Sequence, residues 1–160
     1  MSGRTHAMVP AGLSVLLFQG DPLLTLTAAL AGLAPDIDEP WSVIGQRFWF
    51  LSWWIKYLVG HRTLSHSLML IPLAGVVGLV CEMAPMMIVA ILVGVGTHVV
   101  LDGLSGGVFL WWSSRQRWVL ARYPVYGKVD YLLMMVGCVL AVAGIGMRVR
   151  QELSGFGVAG

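Results

Sequence analysis

Apolar residues are grouped in long segments separated by short polar stretches, and the lengths of these segments predict the fold. Residues 64–81, 85–104 and 129–147 are the longest segments. Each is close to the roughly 20 helical residues that cross a bilayer core of about 30 Å. A short turn at residues 82–84 separates the first two, and Pro85 suits the first position of a helix. The pattern therefore predicts three longer transmembrane helices.

The chain before residue 60 has a different pattern. Two shorter apolar runs, residues 7–19 and 22–34, are separated by a Gly-Asp-Pro sequence that is typical of a turn or helix start. Each is short for a complete crossing, so the two predict a tight N-terminal helical hairpin. Residues 41–59 combine tryptophans with Arg47 and Lys56, a mixture that favours a helix lying in the membrane interface.

These segments predict an all-α, polytopic membrane protein. It has the N-terminal helical hairpin, a Trp-rich interfacial helix and the three longer transmembrane helices. We expect a single membrane-embedded domain over residues 1–154 and a flexible, glycine-rich tail over residues 155–160.

Composition agrees with this class. Of 160 residues, 58% are hydrophobic and 11% are charged, whereas soluble domains average about 25% charged residues. The formal net charge of +2 is too small to suggest a nucleic-acid partner. Cys81 and Cys138 lie in different apolar segments and form no CxxC pair, so we expect buried free thiols. The lipid bilayer is therefore the expected partner.

The distribution of basic residues predicts the orientation. Two polar segments carry most of them: Arg47, Lys56 and Arg62 in the first, and Arg115, Arg117, Arg122 and Lys128 in the second. The turn at Glu82 carries none. By the positive-inside rule, both basic segments face the cytoplasm and the Glu82 turn faces outward. Arg148 and Arg150 then lie outside, so the last helix fits the rule least well.

Most histidines and carboxylates fall at the predicted cytoplasmic face. Asp36 and Asp38 end the hairpin, and His98 and Asp102 are spaced i, i+4, which places both on one face of a helix. Asp130 opens the last helix at the same level. The candidate metal ligands are His6, Asp36, Asp38, His61, His66, His98 and Asp102.

This convergence predicts a metal site. Ionisable groups at membrane depth are costly and usually mark function. Mixed imidazole and carboxylate donors suit a divalent transition metal, with zinc first and manganese or iron as alternatives. The donors suffice for one or two ions. Each residue alone has an ordinary interpretation, because Asp36 or Asp38 could stabilise a turn and Asp102 could cap a helix.

Three stretches also resemble a known family. "APDIDEPWSVIGQR", "GHRTLSHS" and "GTHVVLDGLSGGVFLWW" resemble the YdjM-like inner-membrane proteins, which are described as metal-dependent hydrolases and are distantly similar to zinc-dependent phospholipases and nucleases. The resemblance covers His6 to about Leu133 and implies a place in the inner (cytoplasmic) membrane. The family pattern falls on His6, Asp36, Asp38, His61, Arg62, His66, Ser67, His98 and Asp102.

This sequence departs from the family pattern at a few positions. Thr63 replaces the usual glycine and Ser65 the usual threonine. Glu39 stands where a histidine is common, and Asp130 where a glutamate is frequent.

The residues and the resemblance together predict a membrane-bound hydrolase that uses a metal-activated water at the cytoplasmic face. Its substrate would be a small molecule or a lipid-derived molecule, such as a phosphoester. Glu39 or Asp130 would serve as general base, and Arg62 would hold an anionic group of the substrate.

Two other functions are compatible with the same ligands. The first is a metal or ion transporter, although such sites usually lie near the membrane midplane between repeated halves. The second is a non-catalytic membrane scaffold in which a structural metal joins short helices.

Overall fold

The protein is mostly helical. The computed structural model describes residues 1–59, 65–109, 111 and 116–156. The helices are α1 (Gly3–Leu17), α2 (Pro22–Leu33), a 3₁₀ turn (Ala34–Asp38), α3 (Val43–Arg47), α4 (Trp49–Val59), α5 (Leu70–Val80), α6 (Pro85–Ser105) and α7 (Lys128–Phe156). Two short strands, β1 (Val108–Phe109) and β2 (Arg117–Trp118), form an antiparallel pair.

Helices α1, α2 and α6 form the centre of the fold. Each packs against the other two, while α7 packs on the outer side of α1 and α5 packs on α6. Asp21 caps the start of α2 by accepting hydrogen bonds from the backbone N–H groups of Leu23 and Leu24. The turn at residues 18–21 returns the chain so that α2 packs against α1. This packing brings the first turns of α1 beside the end of α2.

Glycines permit the closest contacts between these helices. A Cβ atom on Gly32 of α2 would lie 2.2 Å from the carbonyl oxygen of His6 in α1. A Cβ atom on Gly137 of α7 would lie 2.3 Å from the carbonyl oxygen of Met8. Small residues at helix contacts are typical of membrane proteins, where van der Waals packing stabilises helix association. The backbones of α1, α2 and α7 therefore lie closer together than any side chain at these positions would allow.

Two helices are long and apolar enough to cross a membrane among the described residues: α6, and residues 128–154 of α7. The third predicted transmembrane helix, over residues 64–81, is shorter than expected. Its helical part is α5, which has 11 residues and spans only about 16 Å. The three-helix prediction is therefore not confirmed. The predicted helix start at Pro85 is observed.

The backbone before α5 explains why this helix begins late. The N–H of Phe109 donates to the carbonyl of His66, and the N–H of Leu68 donates to the carbonyl of Phe109, each at 3.0 Å. These bonds form an isolated parallel bridge between Ser67 and Phe109 of β1, and they use backbone groups that a helix through His66 would need for its own hydrogen bonds. The predicted helix over residues 64–81 includes His66, which in the structure lies before α5. The sequence pattern does not predict the β1–β2 pair.

The Trp-rich segment forms two helices, α3 and α4, rather than one. Ser42 caps α3 by accepting a hydrogen bond from the N–H of Gly45 at 2.8 Å. The aromatic side chains of this segment are exposed: Trp41, Phe48, Trp49, Phe50, Trp53, Trp54 and Tyr57. Such a surface is typical of a helix in a membrane interface. Of the predicted tail, Gly155 and Phe156 belong to the end of α7, and residues 157–160 lie outside the described residues.

Candidate metal centre

The C-terminal half of α6 supplies two adjacent donors. His98 and Asp102 lie one turn apart, and Nε2 of His98 is 3.4 Å from Oδ2 of Asp102. The His98 side chain is fully buried, whereas that of Asp102 is 15% exposed. The i, i+4 spacing therefore places both groups on one face of the helix, as the sequence indicated.

Helix α1 adds His6. Its Nε2 lies 3.1 Å from Oδ1 of Asp102, and its ring stacks on that of His98 with the centroids 4.0 Å apart. Nδ1 of His6 is buried and has no hydrogen-bond partner in the part of the chain that the structure describes.

The 3₁₀ turn after α2 supplies two carboxylates. Oδ1 of Asp36 lies 3.9 Å from Nε2 of both His66 and His98. Oδ1 of Asp38 lies 3.6 Å from Nε2 of His66. The hydroxyl of Ser42 donates to the carbonyl of Asp36 at 2.7 Å and so holds the turn in place. Both aspartates of the "DID" motif therefore face the histidines.

His66 comes from the turn before α5. Its Nδ1 lies 2.5 Å from Oδ2 of Asp102 and 3.4 Å from Nε2 of His98. The bond between its carbonyl and the N–H of Phe109 fixes the backbone at this point. Neighbouring Ser65 donates its hydroxyl to Oδ2 of Asp38. The "SHS" sequence thus contributes a donor to the cluster and a hydrogen bond that orients one of its carboxylates.

We call this group the His–Asp cluster; it consists of His6, Asp36, Asp38, His66, His98 and Asp102. A backbone carbonyl orients its central imidazole, because Nδ1 of His98 lies 2.8 Å from the carbonyl oxygen of Gly32. A carbonyl can only accept, so Nδ1 donates this hydrogen bond, and Nε2 is the ring nitrogen that faces the cluster. Metal-binding histidines commonly have such a partner. Sequence reasoning missed Gly32, because a carbonyl has no residue-type signature.

The charges around His66 favour a cation at this position. Burial lowers the pKa of the His66 imidazole, but hydrogen bonds to Asp102 and Asp38 and the charges of both carboxylates outweigh burial and raise the pKa to about 9. The same carboxylates that stabilise a proton on His66 would stabilise a divalent cation, which requires neutral imidazole and ionised carboxylate.

In the part of the chain that the structure describes, two groups of three donors are compact enough to hold an ion: His6, His98 and Asp102, and Asp36, His66 and His98. Within each group the donor atoms lie within 4.8 Å of one another. Both groups use His98, whose Nε2 has a single lone pair, so His98 can coordinate only one ion. The mixed nitrogen and oxygen donors fit zinc, manganese or iron.

Asp130, one of the two predicted general bases, lies at the contact between α1 and α7. Asp130 is buried, and its carboxylate accepts hydrogen bonds from the N–H groups of Ser2 and Tyr126 and from the hydroxyl of Thr5. These bonds join the starts of α1 and α7, so we infer a structural role for Asp130; its assignment as general base stays a prediction that the Asp130→Asn variant tests. In the sequence, Ser2 is a typical helix-capping residue, and this was the signal for a helix start that the carboxylate of Asp130 could join.

Glu39 follows Asp38 directly, is partly exposed, and has Oε1 3.6 Å from Nζ of Lys56. Its assignment as general base stays a prediction. His61 and Arg62 lie outside the described residues.

The apolar helices and the buried His–Asp cluster define a mostly helical protein suited to a membrane, with a candidate metal centre. The chain belongs to the YdjM inner membrane protein family, whose model matches residues 1–158. It is 29% identical over 146 residues to "Uncharacterized protein YvsG" of Bacillus subtilis (strain 168), which covers 88% of this chain and 91% of that protein. No solved structure matches. Family membership confirms the resemblance and supports a membrane location, and neither description names an activity.

Proposed function

We propose that this protein is a membrane-embedded, metal-dependent hydrolase. The observation that carries the proposal is the convergence of three imidazoles and three carboxylates from four separate segments on one buried point. Those segments are α1, the 3₁₀ turn, the turn before α5 and α6. Gathering so many ionisable groups beside apolar helices is costly unless a cation balances them.

The cluster would hold the metal through residues with distinct roles. His66, His98, Asp36, Asp38 and Asp102 are the proposed ligands, with His6 and His61 next. A divalent cation, when bound, would supply an activated water and polarise the bond under attack. Zinc is the first choice, and the donors suffice for one or two ions if a carboxylate is shared.

The exposure of the cluster supports a direction of approach. His6 and His98 are at most 1% exposed, whereas Asp36 and Asp102 are 18% and 15% exposed. The reacting group of a substrate would therefore approach from the side of these two carboxylates. The positive-inside distribution of charge supports a cytoplasmic location for this side.

Two further residues complete the proposal. Glu39 would act as general base, because it is adjacent to Asp38 and its side chain is 25% exposed. Arg62 precedes the cluster residue His66 by four positions and would hold an anionic group of the substrate, such as a phosphate.

Metal removal and restoration test the proposal. The purified protein in lipid nanodiscs would be treated with a chelator and then supplied with zinc, manganese or iron, and assayed against a panel of phosphomonoesters and phosphodiesters. We expect turnover that is lost with the chelator and restored by one of these metals. Absence of metal-dependent turnover across the panel, with metal bound, would refute the hydrolase.

A structural metal is the second candidate, and the same cluster favours it. An ion held by His6, His98 and Asp102 would join α1 to α6. An ion held by Asp36, His66 and His98 would join the 3₁₀ turn and the turn before α5 to α6. In that case chelation would lower the melting temperature, and no substrate would be turned over.

A further inference from the structure

An apolar groove runs from the His–Asp cluster along the surface of the helices. It has a volume of about 400 Å³ and lies between α2, α5 and α6. Leu73 and Val77 of α5 form one wall, and Ile91 and Val95 of α6 form the other. We refer to it as the apolar groove.

The groove is polar at one end only. Among the described residues that line it, Asp38 and Ser65 are the polar ones. Ser65 donates to Asp38, and the other oxygen of Asp38 lies 3.6 Å from Nε2 of His66. A molecule in the groove would therefore have its apolar part against α5 and α6 and its polar part beside Asp38. Asp36, one of the two exposed carboxylates of the cluster, lies in the same 3₁₀ turn as Asp38, so this end of the groove leads to the exposed side of the cluster.

The length of the groove fits one leaflet of a bilayer. Its lining on α5 runs from Leu70 to Gly78, a distance of about 12 Å at the rise of an α-helix. Half of a bilayer core is about 15 Å thick. The groove therefore matches the acyl chain of a lipid whose head group lies at the same membrane face as the cluster.

A second apolar depression on the helices has no polar end at the His–Asp cluster. It has a volume of about 580 Å³ and is lined by residues of α1 and α6, including Leu13, Leu92 and Leu104. No residue of the His–Asp cluster lines it. We expect this second depression to contact surrounding lipid without binding a substrate, so it serves as an internal control for the binding experiment below.

We propose that the apolar groove binds one acyl chain of a phospholipid and presents its phosphoester to the His–Asp cluster. The substrate class is then a membrane phospholipid rather than a soluble phosphoester, and this inference rests on the proposed function. In the reaction the oxygen of water bonds to phosphorus and the P–O bond to the departing alcohol breaks. One proton of the water passes to the alcohol, and the other stays on the new phosphate.

Photocrosslinking tests the binding site without requiring turnover. The probe is phosphatidylglycerol with a diazirine at the end of one acyl chain, in nanodiscs that contain the full chain. We expect crosslinks on the α5 and α6 residues of the groove. Val77→Trp should reduce them about tenfold, because filling a fitted cavity is costly. Leu73→Trp should reduce the crosslinks by a similar factor, because Leu73 also lines the groove. This second variant keeps the test decisive if Val77→Trp folds poorly.

Val76→Trp is the matched control. Val76 neighbours Val77 and is similarly exposed, at 55% against 52%, but it does not line the groove. Val76→Trp should keep the crosslinks in the groove. Crosslinks in the second depression, which Leu13 lines, should be unchanged in every variant. Equal crosslinking of Val77→Trp and Val76→Trp would overturn the acyl-chain site.

Turnover separates this inference from the proposed function. If a phospholipid and a short-chain phosphodiester are both hydrolysed and Val77→Trp slows only the phospholipid, the groove selects the substrate. If Val77→Trp leaves both rates unchanged, the hydrolase stands and the lipid inference fails. If the groove is crosslinked but no phosphoester is hydrolysed with any metal, the hydrolase proposal is refuted. The groove is then an acyl-chain binding site, and the proposal that the bound lipid is a substrate is refuted.

Discussion

The carbonyl oxygen of Gly32 lies 2.8 Å from Nδ1 of His98, so a backbone group of α2 orients the most central imidazole of the His–Asp cluster. The same glycine lies against the backbone of His6, where a Cβ atom would be 2.2 Å from the carbonyl oxygen. Gly32 thus fixes the relative positions of two histidines without contributing a side chain. This relationship is the basis of the first prediction.

Gly32→Ala should weaken metal binding. The added methyl group would push α1 away from α2 and disturb the bond to His98, and loss of such an orienting partner typically costs about 10–100-fold in metal affinity. The measurement is the zinc dissociation constant of the purified variant. Gly96→Ala on α6 is the control, because nothing lies within 4 Å of a Cβ atom there. Equal affinities for the two variants would contradict this role of Gly32.

Asp130→Asn should affect stability rather than chemistry. The carboxylate accepts hydrogen bonds from Ser2, Thr5 and Tyr126, and an amide nitrogen cannot accept one of them. A buried donor left without its acceptor costs about 1–3 kcal/mol. We expect a lower melting temperature in detergent, with metal content and turnover per folded molecule unchanged. A folded variant with greatly reduced turnover would instead restore Asp130 as a general base.

Glu39→Gln should slow turnover without lowering stability, in contrast to Asp130→Asn. The side chain is partly exposed and lies beside the cluster along the chain, so its replacement should leave stability and metal content near normal. Loss of a general base typically slows turnover by about 10²–10⁴-fold. The measurement is kcat for the best phosphoester from the screen, compared with Asp130→Asn. A rate within a few-fold of the wild type would exclude Glu39 from this role.

Metal affinity should increase with pH up to about 9. In the metal-free protein the pKa of His66 is raised to about 9, and the metal requires the neutral ring, so proton and metal compete below that pH. Each pH unit below this value should weaken binding about tenfold if His66 releases one proton. Titration with zinc from pH 6.5 to 9.5 measures the slope. Affinity independent of pH over this range would contradict a ligand role for His66.

The stability of the metal-free protein should decrease as the pH rises, whereas metal affinity should increase. Because the folded pKa of His66 is above its ordinary value of 6.5, its protonation stabilises the fold. This contribution is complete below pH 6.5 and is lost as the pH rises through about 9. Thermal melting of the chelated protein across this range should therefore show a decline that the metal-loaded protein lacks.

Labelling should separate the two sides of the membrane. In a chain with Cys81 and Cys138 replaced by serine, a single cysteine at Arg122 should react with an impermeant reagent only from the cytoplasm. One at Glu82 should react only from outside, because the basic residues favour this orientation. Labelling of both positions from the same side would contradict the orientation.

Much of the site could be predicted from the sequence because helical periodicity is simple. The i, i+4 spacing of His98 and Asp102 determines that both lie on one face of α6. Asp36 and Asp38 directly follow α2, which packs against α1, and this packing places them on the side of the fold where His6 lies.

The late start of α5 and the pairing of His66 with Phe109 could not be predicted. The two residues are 43 positions apart in the sequence, and their pairing depends on how α5 and α6 pack rather than on a local pattern. For the same reason Asp130 seemed equivalent to the other carboxylates, although its partners, Ser2 and Thr5, lie at the opposite end of the chain.

Metal content is the most direct test of the central claim that the His–Asp cluster binds a metal. The wild type, His98→Ala, His66→Ala and the control Thr97→Ala would be purified without chelators and analysed by elemental mass spectrometry. Among the described residues, the hydroxyl of Thr97 bonds only within its own helix, to the carbonyls of Val93 and Gly94. We predict at least one transition-metal ion per chain in the wild type and Thr97→Ala, and a loss of most of it in both histidine variants. A wild type without metal, or histidine variants that retain all of it, would contradict the account.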